Sequence, residues 1–577
     1  MADAWLGPTC QEQTLAFGPL ALVVPMLQRL GVADSIDAHL PPDPQLRHSH
    51  GRVLSLLLAA RLCQPTALVN ISTWAESSGA DLLWNLPAED LNDDRLGRAL
   101  DAFFEQRHAI QAVVAAETLR LAELSPSCLH FDPTHLHFHG AYSHSVPRPD
   151  PFDWPPAQSS AAVPPAHITH GYGAEEKLIQ VGVTAVIDDL GAVPILSHCV
   201  DGNQNGHTAI HQQCAWMREI GFLEPGTLLI SDRGTFSIDH VARLHRYDCQ
   251  VLCSVPWNHL AALYEANAAT LTWHDASYLS REQQRRRETP SALPLEHYEL
   301  AVLRHTVTDP QTADAIPCRV IFVYSSADAD ICRRTRERDL QHLQSALAEV
   351  AASVARGHPL TTPDSIARRV TRLFGNRAAR HFFQWEMVEL TVRQRAALPP
   401  PARGCRRPLY RFTYTFDAAA AAAAAATDGL SVLLTTAPRT ASADRLFTQF
   451  KEQNYLETSH HQWKTPLAVR PVFLKSPQRV EALVCLMQLA LTAQHLLERF
   501  YRRSVPAGAP LAEQRLTAES LLRIFRPYGL IVRHTRLGRV IHATRLTSRQ
   551  RDILRQLGFP TPAQLLAQVL PPLPALV

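Results

Sequence analysis

Three carboxylates stand out by position. Asp132 sits inside "CLHFDPTHLHFHG" (128–140), among Leu129, Phe131, Leu136 and Phe138, whose apolar, β-prone character marks a buried strand. Withdrawing an ionised group from water costs several kcal/mol unless something pairs with it. Asp232 ends the run "LLISD" and is followed by "RGTFS", a glycine turn into a helix. In a parallel sheet, sites form at the carboxyl ends of the strands. Glu457, in "FKEQNYLETSHHQWKTPLAVRP", falls on an expected helix. Carboxylates are hard oxygen donors suited to Mg2+ or Mn2+, and two such ions about 3.5–4 Å apart can clamp an in-line phosphoryl displacement. Taken singly, each acid also fits a cap, a turn or a surface carboxylate.

Histidines offer a rival chemistry. His135, His137 and His139 alternate along one strand with His130 nearby, a pattern seen in zinc hydrolases. Alternate residues of a strand share a face, so these three point away from Asp132. With 28 histidines in the chain, clustering by chance is expected. Glu481, in "QRVEAL", competes as a third acid, and Asp201, in "VDGN", reads as a turn residue.

These side chains need a scaffold, and 577 residues imply several domains. Residues 1–124 read as a helical N-terminal domain, with apolar residues at three-and-four spacing in "LALVVPMLQRLGVADSIDAHL" and "GRVLSLLLAARLCQ". "PRPDPFDWPPAQSSAAVPP" is a loop. From Lys177, "KLIQVGVTAVI" and "VPILSHCV" flank the turn "DDLGA" as a hairpin. A helix, the strand "GTLLISD", a helix capped by Ser237 and the strand "CQVLCSVP" follow. The order β-β-β-α-β-α-β predicts a mostly parallel α/β sheet over 125–256. Residues 257–439 break that rhythm and read as an inserted, mainly β domain around one long polar helix. Nine alanines, Ala418 to Ala426, interrupt it as a surface expansion. Residues 440–505 return to the core, and 506–577 read as a basic helical region.

Four blocks, in order, resemble bacterial insertion-sequence transposases of the DDE class, in the IS-four branch with a β-rich insertion before the Glu. "HFDPTHLHFHG" resembles that family's first-Asp strand, "THGYGAEEKLIQVGVTAVIDDLGAVPILSHCVDGN" its second and third strands, and "LLISDRGTFS" its second-Asp block. The family's third block is Tyr, two residues, Arg, three residues, Glu, six residues, Lys. Glu457 and Lys464 fit it, while Phe450 and Gln453 stand at the Tyr and Arg positions. "RPVFLKSPQRVEAL" continues the likeness, which spans about 125–500. The resemblance implies an RNase H-like core in which Asp132, Asp232 and Glu457 hold two divalent ions, Mg2+ or Mn2+. It implies double-stranded DNA as partner (terminal inverted repeats and target), a homodimer on that DNA, cleavage at the element's end and attack by the freed 3′-hydroxyl. Lys464, two turns after Glu457 on the same face, is expected to contact a backbone phosphate. Two alternatives stay open: a decayed or domesticated transposase that binds DNA without cutting it, favoured by Phe450, Gln453 and the polyalanine, and a housekeeping nuclease on the same core.

Bulk charge bounds the partners. The net charge is +2, so any basic surface is local. The bases are nearly all arginine, as a GC-rich genome would also produce. Nine arginines and one acid, Asp552, lie between Arg523 and Arg555; Arg533, Arg536 and Arg539 are expected to follow duplex phosphates, adding salt-dependent affinity with little sequence discrimination. "REQQRRR" (281–287) and "RRTRER" (333–338) read as solvated faces. The 11 cysteines have irregular spacing and no CxxC, which argues against a disulfide framework and a zinc ribbon. The start lacks a signal-like pattern and "GPLALVVPML" is too short to span a bilayer, so no membrane partner and a cytoplasmic location are expected.

Overall fold

The computed structural model describes residues 11–148, 163–171, 176–280, 283, 296–401, 403–464, 474–535 and 538–569. Most of "REQQRRR" and of the proline-rich loop lies outside them. The strands are β1 (Gln11–Leu15), β2 (Cys128–Phe138), β3 (Thr169–His170), β4 (Lys177–Asp188), β5 (Gly191–Val200), β6 (Leu228–Ser231), β7 (Gln250–Ser254), β8 (Trp273–Asp275), β9 (Tyr298–Thr308), β10 (Ala315–Ser325), β11 (Phe383–Glu389), β12 (Tyr410–Phe416), β13 (Leu430–Thr435), β14 (Leu530–Thr535) and β15 (Gly538–Ala543).

One 10-stranded sheet organises the chain, in the order β3-β4-β2-β6-β7-β13-β10-β9-β8, with β5 also on β4. β2, β6 and β7 run parallel, and the other neighbours are antiparallel. The strand-helix alternation after Lys177 therefore forms as its periodicity requires. Helices Gly206–Glu219 and Ile238–Arg246, each opened by a side-chain cap (Asn205, Ser237), make the crossovers that parallel strands need. At Gly182 on β4 an added Cβ would stand 2.6 Å from the Phe131 ring, so glycine lets the strand carrying Asp132 lie close.

Two expectations are revised. The segment 257–439 is not a separate mainly β unit: β8, β9, β10 and β13 extend the central sheet. β13 pairs the edge of β7 through Leu433–Ser254, covering backbone groups that a free edge would expose. Only β11 and β12 form their own two-stranded sheet, beside helices Ser326–Arg356 and Pro363–Phe374. The C-terminal region is not wholly helical, because "LIVRHT" and "GRVIHA" pair as a hairpin. β1 joins that hairpin at β14, tying the first described strand to the last two in one sheet. The helices of residues 1–124 pack into the same interior as the sheet. Leu54, Leu57, Phe103, Ile110 and Val114 share a single apolar core with Phe131, Val181, Val484 and Leu489.

The centre of that core is the helix Pro477–Ser504, 28 residues whose apolar window is fully buried. Its composition would suit a bilayer span, but β5 and the helices His50–Cys63 and Asp93–Ala122 surround it. A second cluster, with Ile230, Leu252, Ile321, Leu433 and Phe447, packs part of the sheet against the helix Ala443–Lys451.

Candidate active site

β2 and β6 pair in parallel from Cys128–Leu228 to Phe131–Ser231. Asp132 and Asp232 are the next residue on each strand, so they stand side by side where β6 ends. β2 continues past that point only against β4, with Asp132 opposite Val183. The two acids thus occupy the lip that opens at the carboxyl ends of parallel strands, at the place where chain order switches from one side of β2 to the other.

Their closeness has an electrostatic cost. Burial, and next the charge of Asp132, push the Asp232 carboxyl above the ordinary range; the N–H groups of Gly234 and Thr235 and the Arg233 charge oppose this. Asp232 Oδ1 is buried without a hydrogen-bond partner.

The helix Asn454–Lys464 lies across these strand ends. It buries Leu456, Ser459, His460 and Trp463, a three-and-four stripe. Gln453 donates to the Phe131 carbonyl at 3.2 Å, anchoring the start of the helix one residue from Asp132. His460 Nδ1 lies 3.1 Å from Asp132 Oδ2, and its Nε2 is buried without a partner. Glu457 is one turn before His460 and exposed; no direct contact links it to either aspartate among the described residues. Lys464 lies near His135 on β2, where burial and then the Lys464 charge lower the imidazole pKa. The structure therefore joins Asp132 with Asp232 and brings the helix of Glu457 to them through His460.

Comparison with known proteins adds three findings. A family model described as "Domain of unknown function (DUF4277)" matches residues 12–115, the region from β1 into the helix Asp93–Ala122. No curated protein matches the chain. The solved structures that match include the piggyBac transposase synaptic complex with hairpin DNA, similar at 9% identity and a TM-score of 0.32 over 96% of this chain and 88% of that one.

His460 is the residue that sequence reasoning passed over. Its signal was the three-residue step from Glu457, hidden among many histidines. The rival third acid, Glu481, has other work. It accepts from Arg107 at 2.8 Å, from Arg148 at 2.9 Å and from the Ala166 N–H at 2.6 Å, all deep in the core. Burial pushes its carboxyl up, but the two guanidinium charges and the Ala166 N–H hold it below the ordinary range. Cys199 and Cys485 lie beside it, yet these donors already occupy both its oxygens. Asp201 accepts from the His167 N–H and the Arg148 N–H, as a strand-end residue does. His137 and His139 approach Glu176 at 3.5 and 3.7 Å, and the unbroken β2–β4 register through Pro133 keeps the alternation that turns them from Asp132. Burial pushes His130 down to about 3, so it is a neutral core side chain.

The C-terminal arginines are less free than their count suggests. Arg533 pairs with Glu12 at 2.9 Å, Arg549 with Glu513 at 2.7 Å and Arg523 with Glu519 at 2.6 Å. Arg536 and the side chain of Arg539 lie outside the described residues.

Proposed function

We propose that this protein is a DNA transposase of the DDE class, cutting duplex DNA at an element's ends and joining it to a target, on an RNase H-like core. The observation that carries this reading is the pair Asp132–Asp232 at the ends of adjacent parallel strands, with the helix of Glu457 docked on Asp132. The strand order β5-β4-β2-β6-β7, antiparallel only at β4, supports the same core.

The adjacent carboxylates of Asp132 and Asp232 are hard oxygen donors of the kind that Mg2+ or Mn2+ takes. Asp232 Oδ1 is buried and unpartnered, and two adjacent carboxylates call for a cation. Asp132, Asp232 and Glu457 would hold the ions, which would supply positive charge to the phosphoryl oxygens and acidify the attacking water. The chain's own part is positioning. Gln453 fixes the helix against β2, His460 holds the Asp132 carboxylate in one orientation, and Lys464 offers a point charge to a backbone phosphate two turns beyond Glu457. The exposed side of Glu457 leaves room for a strand to enter. A homodimer assembled on two DNA ends is part of this reading.

The test is cleavage of duplexes ending in inverted repeats sought by sequencing the DNA on either side of the gene. Asp132→Asn, Asp232→Asn and Glu457→Gln should each slow cleavage by roughly a thousandfold or more, about 4 kcal/mol of barrier, while end binding persists. Near-normal cleavage by Glu457→Gln would remove that residue from the set. End binding without cleavage in the unaltered chain, at any divalent metal concentration, would leave a DNA-binding protein only.

A further inference from the structure

Residues 356–411 contain 12 arginines and 3 acids, whereas the other 521 residues carry 44 basic and 51 acidic side chains. A genome-wide preference for arginine would spread through the chain; this charge is segregated.

The segment belongs to an arm with its own apolar centre. The distal part of the helix Ser326–Arg356, the helix Pro363–Phe374 and the β11–β12 hairpin enclose Leu347, Val350, Ile366, Val370 and Phe412, separate from both sheet cores. Most of its arginines are on the outside. Ile366, Val370 and Leu373 face inward, and Arg368, Arg369 and Arg372 face solvent. Arg403, Arg406 and Arg407 are exposed near the joint between the two helices, where the Arg406 N–H donates to the Gly357 carbonyl. Among the described residues no carboxylate pairs with any of these six. Arg377 lies 3.8 Å from Asp339 and donates to the Leu373 carbonyl at 2.6 Å. Unpaired like charges on so small a unit repel across a Debye length of about 8 Å, so the arm is a place for an anion.

Sheet register says where the arm stands. β7 is antiparallel to β13, and β13 to β10, so β10 runs parallel to β6 and β7. Ser254 pairs Leu433 and Leu433 pairs Ile321, which puts Ser325 beyond the level of Asp232 on the same edge of the sheet. The long helix leaves from that edge, three strand spacings or about 14 Å from β6. At 31 residues it is about 46 Å long, more than one turn of duplex.

We propose that the arm is a backbone clamp for double-stranded DNA, gripping phosphates away from the cut with Arg368, Arg369, Arg372, Arg403, Arg406 and Arg407. This rests on the reading above that the acid pair works on DNA, and it names the surface that holds the duplex. Arginine's fork suits phosphate oxygens, and such contacts add affinity without reading bases. The shared edge favours a duplex over an acidic protein as occupant.

Binding of the full-length chain to random and inverted-repeat duplexes, followed by anisotropy from 50 to 300 mM salt, tests this. Reversing three exposed charges (Arg368→Glu, Arg369→Glu, Arg372→Glu) should weaken all duplexes alike, by tenfold or more at low salt. It should also flatten the slope of log affinity against log salt by roughly 0.9 for each phosphate no longer gripped. The corresponding triple Arg→Lys variant should retain most of the slope, and circular dichroism should show all variants folded. If the unaltered chain binds duplex and the Glu variant binds it with the same slope, the clamp is wrong while the transposase reading stands. If the unaltered chain binds no duplex, the transposase reading itself falls. Loss of binding to polyglutamate with duplex binding unchanged would assign the arm to an acidic protein and overturn the proposal.

Discussion

Glu452 follows the helix Ala443–Lys451 as its C-cap, five residues before Glu457. Burial, then the charges of Asp188 and Asp189 at the β4–β5 turn, push its carboxyl up to about 7. The sign follows from linkage. An ordinary carboxyl loses its proton near 4.5; between there and 7 the folded chain keeps a proton that the unfolded chain has lost, so stability falls as pH rises through that window and is level above it. Glu452→Gln should therefore match the parent at pH 4 and be more stable at pH 8, by about 1–2 °C in melting temperature given solvent screening of a half-exposed group. Melting curves at pH 4, 6 and 8 read this directly; an equal offset at all three would mean that shape, not ionisation, decides. At this scale the sequence was informative where chemistry forces a choice. Asp132 inside an apolar strand and Asp232 after a strand end could be seen because each is costly or well placed. The contacts of Gln453 and His460 could not, since each touches one particular atom on another strand.

Among elements, the helix Pro477–Ser504 was the hardest to read. Buried on every side, it has no polar stripe to reveal its orientation. Its most deeply buried acid, Glu481, resembles catalytic material; the structure instead makes it the knot between that helix, Arg107 on Asp93–Ala122 and Arg148 ahead of the proline-rich loop. Removing one member of a buried ionic set leaves charges stranded, at about 3–5 kcal/mol. Glu481→Gln should lose that much stability by urea titration while cleavage per folded molecule stays near the parent. The opposite result, unchanged stability with cleavage abolished, would return Glu481 to the metal set in place of Glu457. The strands of 257–439 were individually recognisable from their β-branched runs, but not which sheet they join, because pairing partners lie up to 185 residues away, as Val251 and Thr436 do. β14 and β15 are harder to read for another reason: arginines flank the short apolar runs Leu530, Ile531, Val532 and Val540, Ile541 that pair them.

For the molecule as a whole, the question is which parts can be removed. Chain order suggests that the first 124 residues are a leading module and the middle an insertion, equally dispensable to the core. Packing separates the two cases. Removing residues 1–124 would strip Phe103, Ile110 and Val114 from the shared core, take Arg107 from Glu481 and β1 from β14. Excising 326–429 removes a unit with its own apolar centre, and it leaves Tyr324 and Leu430 as register partners at the ends of adjacent antiparallel strands. A two- to four-residue turn can close such a pair. A chain starting at Ser125 should therefore aggregate or melt without a cooperative transition. The chain closed by a short turn in place of 326–429 should stay soluble, keep a cooperative melt close to the parent's and lose duplex affinity with the arm. Circular dichroism melting and size-exclusion chromatography of both distinguish the outcomes. A cooperative, monodisperse Ser125 chain would show that the N-terminal helices dock on a core complete without them, and the single-core description would be wrong.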